Sequence, residues 1–341
     1  MYHKQGGTDM KLVFVIPLIL FTVIMMSCTK TTERVDGKIR VLLDTDANNE
    51  LDDQHAIAYM LMNGDVFDTD GITVNRTRNG GDINEQAAEA ERVVALCGLA
   101  GIPVYKGADG SFAEIKDDLN EPAFDGAEAV NYIIEKAHEN AGDKLVLLPV
   151  GKLTNIALAL AKDPSIAEKV RIVWLGSNYP DPGEYNQDND EGALNAILDI
   201  DVPFEIALVR GGKPSGTAAV RVTPEEIQEH MPGAGPNVTE PVFGRHGGEF
   251  ITFGDYSVNL FSHSHMHGDP PGRSLFDMAA VAIVKNPDWA EAVEIPAPIL
   301  VDGTWRDRPE NPRKIILWEN FDRDAIIADF FATMVDYVMV D

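Results

Sequence analysis

The chain has 341 residues, 45% of them hydrophobic, which is enough to build a substantial core and excludes global disorder. Against 28 Lys and Arg stand 55 Asp and Glu, a formal charge of −27. A surface of that sign repels phosphate backbones and argues against nucleic-acid binding.

The N-terminus reads as an export segment. Lys11 precedes an apolar run from Leu12 to Met26, followed by Ser27-Cys28-Thr29. A basic start, a short apolar stretch and a small residue at the boundary describe a signal peptide. The run is too short for a comfortable membrane span. Met25-Met26-Ser27-Cys28 resembles a bacterial lipobox with Cys28 as the lipidated residue. Residues 1–28 are then a lipoprotein-type signal peptide, 29–37 a polar tether and 38–341 a single domain. The expected location is the periplasm or outer membrane, with a lipid anchor as the only membrane attachment. The alternative is an uncleaved N-terminal anchor. Cys97, in the apolar run Val93 to Cys97, reads as a buried small hydrophobe.

Beyond the tether, strands and helices alternate. Ile39 to Leu43 is an apolar strand ending at Asp44, and Leu51 to Met62 has helical spacing. Phe67 to Val74 predicts a strand, Ile83 to Leu99 a helix and Ile102 to Tyr105 a strand. A helix over Ala127 to Asn140, a strand over Lys144 to Leu148 and a helix over Leu153 to Ala161 follow. Val170 to Leu175 and Phe204 to Val209 read as further strands. Residues 211–275 are rich in Gly, Pro and His and suggest a helical lid or insertion. Helices return at Asp277 to Val284 and Ala325 to Val338. The pattern predicts an α/β fold, a mostly parallel, Rossmann-like open sheet with helices on both faces. Such sheets carry their sites at the C-terminal strand ends, where Asp44, Asn75, Gly151 and Gly176 all fall.

The segment Asp44-Thr45-Asp46-Ala47-Asn48-Asn49-Glu50-Leu51-Asp52-Asp53 packs five carboxylates into ten residues. Close carboxylates raise one another's pKa unless a cation neutralises them, and hard cations such as Ca²⁺ take oxygen ligands. Favourable charges at a helix N-terminus would explain Asp52 and Asp53 but not Asp44 and Asp46. Asp-x-Asp after a strand also opens the aspartate-nucleophile phosphatases, though these carry Thr or Val where this chain has Asn48.

With that loop in view, the chain resembles the nucleoside hydrolases of the inosine-uridine-preferring type. Their opening motif, Asp-x-Asp-Pro-Gly-x-Asp-Asp, is matched at its ends by Asp44-Thr45-Asp46 and Leu51-Asp52-Asp53. The middle, Ala47-Asn48-Asn49-Glu50, is two residues longer. Gly71 to Asn75 resembles the second strand, Pro149 to Ala157 the Pro-x-Gly-x-Leu-Thr-Asn-Ile-Ala segment, and Glu184-Tyr185-Asn186 the Glu-Phe-Asn segment. Phe276-Asp277-Met278-Ala279 resembles the last metal-ligand motif. Many members place His before that Asp as a leaving-group acid. Phe276 stands there instead, as Trp does in purine-preferring relatives.

The resemblance implies calcium-dependent hydrolysis of purine ribonucleosides or related ribosides to base and ribose. Ca²⁺ would be held by Asp46, Asp53, the Thr154 carbonyl and Asp277, gripping the sugar diol and lowering the pKa of water. Asp46 would be the general base. Asp52, Asn75, Asn178, Glu184 and Asn186 would bind sugar, Phe276 would stack the base, and Asp44 would stand behind the ligands. His263, His265 and His267 are candidates for a surface role, a leaving-group acid or a transition-metal site. Family members are commonly dimers or tetramers, which implies a homo-oligomer. The competing reading is a catalytically poor, calcium-dependent nucleoside-binding lipoprotein.

Overall fold

The architecture grows from strands whose two faces are both apolar. In the computed structural model, which describes residues 1–3, 37–139 and 142–340, the first strand is β1 (Ile39–Thr45). Val41, Leu42 and Leu43 are all fully buried. Alternate side chains enter separate cores, Val41 and Leu43 on one face of the sheet and Leu42 on the other. Cys28, the expected signal peptide beyond residue 3 and the tether up to residue 36 lie outside the described residues. The chain divides into units 1–34 and 35–341, and the sheet belongs to the second.

From β1 the chain passes through α1 (Asp52–Leu61), β2 (Phe67–Val74), α2 (Ile83–Leu96) and β3 (Val104–Lys106). It returns through α3 (Ala127–His138) to β4 (Leu145–Pro149), then α4 (Thr154–Lys162) and β5 (Val170–Gly176). Two short helices, α5 (Tyr185–Asn189) and α6 (Glu191–Leu198), lead to β6 (Phe204–Leu208). After α7 (Pro224–His230), α8 (Phe253–His263) and α9 (Phe276–Lys285), the chain adds β7 (Glu291–Pro296), β8 (Lys314–Glu319) and α10 (Arg323–Val335). The sheet order is β7-β8-β6-β5-β4-β1-β2-β3. Every pairing is parallel except β7 with β8. Residues of α1, α2, α8, α9 and α10 pack on one face, and residues of α3, α4 and α6 on the other. Among the described residues no helix is long and apolar enough to cross a membrane.

The chain first winds outward to β3 and then in the opposite direction from β4. That reversal opens a crevice between the carboxyl ends of β1 and β4, the usual ligand position in such sheets.

The alternation of the sequence misses β7 and β8 because a hairpin (Ile299–Val301 with Thr304–Arg306), not a helix, lies between them. A buried carboxylate ties β8 into the sheet. Glu205 on β6 accepts from Arg171 on β5 at 2.5 and 2.9 Å and from the Trp318 indole on β8 at 2.7 Å. Residues 211–275 contain α7, α8, a small hairpin (Val242–Phe243 with Glu249–Phe250) and a strand pair joining Arg221–Val222 to Arg273–Ser274. This insertion docks on α1 through His55. The His55 Nδ1 donates to the Leu51 carbonyl at 2.6 Å, so Nε2 accepts from Ser257 of α8 at 2.7 Å. Phe253 and Phe261 meet the ring edge-on.

Candidate active site

The carboxyl end of β1 delivers Asp44 and Asp46, and the N-terminus of α1 delivers Asp52 and Asp53. α9 brings Asp277 to the same place from the far end of the chain. One carboxylate oxygen from each of Asp52, Asp53 and Asp277 falls within a 4.8 Å span. Asp46, Asp52, Asp53 and Asp277 are all 6% exposed or less. Burial raises the pKa of all four above the usual carboxylate range, and neighbouring carboxylates add to this for Asp46, Asp52 and Asp277. Asp53 Oδ1 accepts from Thr45 Oγ1 at 2.5 Å, and Asp46 Oδ2 from the Thr77 hydroxyl. No Lys or Arg among the described residues forms an ion pair with any of the four. Arg245 acts on Asp53 through its charge without pairing with it, and hard oxygen donors gathered out of water with no direct ion pair fit a hard cation such as Ca²⁺.

Asp44 stands behind this cluster. It accepts from Thr73 Oγ1 at 2.8 Å, Asn75 Nδ2 at 2.5 Å and Asn155 Nδ2 at 2.7 Å. Burial pushes it up to about 6 despite those three donors. It thereby pins the ends of β2 and α4 to β1. Asn75 is fully buried on Asp44, and its Oδ1 has no partner. The structure does not bring it to the cleft wall, where a sugar contact was expected. Thr154 is also fully buried, and its hydroxyl donates to Asp190 at 2.5 Å.

The cluster forms part of the lining of an open cleft of about 260 Å³. Asn178, Glu184, Asn186 and Phe276 join Asp46, Asp52, Asp53 and Asp277 in its lining. Ser177, in the left-handed region at φ 66°, turns the chain after β5 into this wall. Glu184 accepts from the backbone N–H groups of Ser177, Asn186 and Gln187 at 2.9, 3.1 and 3.0 Å, capping α5. Asn178 Oδ1 accepts from the Gly211 N–H at 2.9 Å. Asn186 Nδ2 donates to the carbonyls of Val150 and Leu175, which follow β4 and end β5 respectively.

Sequence reasoning missed Asn49, Glu50, Asn79 and Tyr185 as cleft residues. It also missed a relay in which the Tyr185 hydroxyl donates to Thr77 Oγ1 at 3.2 Å and Thr77 donates to Asp46. Tyr185 sits inside a motif already singled out, so its position was the available signal. The longer acidic loop is held by its neighbours. Asn48 accepts Arg245 Nη1 at 3.4 Å through its side chain and donates its N–H to Gln86 at 2.7 Å, while Arg273 pairs with Glu50. His263, His265 and His267 are exposed and none lines the cleft. His263 stacks on His246 with ring centroids 4.7 Å apart.

Fold and cleft together define the nucleoside hydrolase class. Residues 41–328 match the family described as inosine-uridine preferring nucleoside hydrolase, and the chain belongs to that family. It superposes on a purine-preferring ribonucleoside hydrolase from Gardnerella vaginalis with a TM-score of 0.67 at 19% identity, covering 86% of this chain and 98% of that one. In sequence it is 31% identical over 163 residues to probable uridine nucleosidase 2 of Oryza sativa subsp. japonica, covering 41% of this chain and 45% of the relative. It is 29% identical over 188 residues to the pyrimidine-specific ribonucleoside hydrolase RihB of Escherichia coli (strain SE11), covering 49% of this chain and 58% of the relative. The chain thus spans about half the length of these curated relatives.

Proposed function

We propose that the protein hydrolyses the N-glycosidic bond of purine-type ribonucleosides in a calcium-dependent reaction, releasing base and ribose. The observation that carries this reading is the group of four buried carboxylates with no cationic ion-pair partner in a cleft shared with Glu184, Asn178 and Phe276. Asp46, Asp53, Asp277 and the Thr154 carbonyl would hold the ion, with Asp52 beside them. Bound there, calcium would grip the sugar diol and make water a better acid.

The protein's own groups account for the rest. Asp46 accepts the proton of the attacking water, with its Oδ2 fixed by the Thr77 hydroxyl. Glu184 and Asn178 bind sugar hydroxyls, and Asn186 bridges the two strand ends beneath them. Positive charge develops on the sugar ring as the bond breaks, and the surrounding carboxylates favour it. Phe276 offers its face to the base, and a bicyclic purine covers an aromatic face better than a single ring. Family membership removes the phosphatase reading.

The test is ribose release from a panel of purine and pyrimidine nucleosides, with and without a calcium chelator. Chelation should abolish release, and Asp46→Ala should lower it about 10³-fold. A folded, calcium-loaded protein that binds nucleosides and releases no ribose would instead be the scavenging-type binding protein.

A further inference from the structure

The cleft contains one carboxylate, Glu50, that its proposed chemistry does not require. Six of its fifteen lining residues are carboxylates, and none is Lys, Arg or His. Of the cations around it, Arg273 pairs with Glu50 of the lining, Arg245 donates to Asn48 and acts on Asp53 through its charge, and Arg78 lies over the Tyr185 ring at 4.9 Å. A calcium ion and Arg273 together would offset half of the carboxylate charge. Two aromatic residues, Phe276 and Tyr185, share the same lining. Glu50 contributes a half-exposed carboxylate whose Oε2 is taken by Arg273, and Oε1 has no protein donor among the described residues. Such a surface favours a ligand that is itself positively charged and flat.

The same lining is poor in proton donors. The Tyr185 proton is committed to Thr77, and an ion-paired carboxylate such as Glu50 accepts hydrogen bonds rather than donating them. The histidines at 263, 265 and 267 lie outside the cleft lining. When the bond from C1′ to nitrogen of a neutral purine breaks, the electron pair leaves an anionic ring that needs a proton. In a ring already cationic, the same pair cancels the charge and the base departs neutral. Water supplies hydroxide to C1′, and its proton goes to Asp46 and then to solvent.

We propose that the preferred substrates are ribosides whose nitrogen heterocycle carries a permanent positive charge, such as ring-alkylated purine ribosides, recognised by Glu50 and the face of Phe276. This rests on the hydrolase reading above and specifies its substrate class. The experiment compares 7-methylguanosine with guanosine on the calcium-loaded protein, in the wild type and in Glu50→Gln. The wild type should favour 7-methylguanosine at least about tenfold in kcat/KM, the lower end of what one pocket contact discriminates. Glu50→Gln should reduce that ratio about fivefold, mainly through KM. The wild-type KM for the cation should rise with salt up to about 0.5 M while that for guanosine holds. Equal turnover of both nucleosides, or an unchanged ratio in Glu50→Gln, would overturn the substrate assignment and leave the hydrolase standing. No ribose from either nucleoside, or from any other in the panel, would remove both.

Discussion

Gly151 shows how little room single residues have in this cleft. A Cβ there would stand 2.8 Å from Asp46 Oδ1 and 2.9 and 3.0 Å from the amide atoms of Asn75. Its carbonyl accepts the Trp174 indole N–H at 2.9 Å, so the backbone is held against the core and cannot retreat easily. Gly151→Ala therefore moves Asp46 or Asn75. We expect kcat/KM to fall about 100-fold while stability drops by about 1–3 kcal/mol, the usual cost of overpacking. Steady-state kinetics beside a thermal melt checks this, and wild-type kinetics would show that Asp46 has freedom the packing denies. At this scale the sequence was most informative where chemistry is local. Asp44, Asp46, Asp52 and Asp53 announce themselves by spacing. Thr77 did not, because its importance comes from Asp46 and Tyr185, far along the chain in both directions.

Elements were legible where strand and helix alternate, and less so where they stop alternating. β1 to β6 and the helices α1 to α4 follow the expected order with ends shifted by a few residues. Lys314-Ile315-Ile316-Leu317-Trp318 has the apolar run of a buried strand, but no helix precedes it to mark the rhythm. α8 lies in a stretch whose Gly and Pro content hides an eleven-residue helix. The contact between α8 and α1 has a pH dependence of its own. Burial lowers His55 from 6.5 to about 4, opposed by its bond to the Leu51 carbonyl. The folded chain thus keeps the ring neutral where the unfolded chain binds a proton. This stabilisation is complete above pH 6.5 and is lost as pH falls towards 4, with a total on the order of 3 kcal/mol. Urea melts of the wild type and His55→Leu isolate it. Their stability difference should change between pH 7 and pH 4.5, with the wild type losing more on acidification. A pH-independent difference would mean the ring is protonated in the fold or reaches water.

The whole molecule carries its charge of −27 into any encounter with a membrane. Anionic lipid surfaces repel such a protein, so peripheral adsorption cannot hold it there. We propose a lipid at Cys28 as the means of attachment. Cys28→Ser should move the protein from the membrane pellet to the soluble fraction, and a variant that still pellets would rule out this tether. The order in which the chain is made matters as well. Asp46 directly follows the first strand and Asp52 and Asp53 open the first helix, whereas Asp277 lies at the start of a helix near the end. At about 10 residues per second, Asp53 leaves the ribosome roughly 20 s before Asp277. During that interval a nascent chain displays three crowded aspartates without the fourth carboxylate, and for most of it without Arg245 and Arg273. The carboxylate cluster is complete only after six of the eight sheet strands have been synthesised, so a product truncated before Asp277 is born without it.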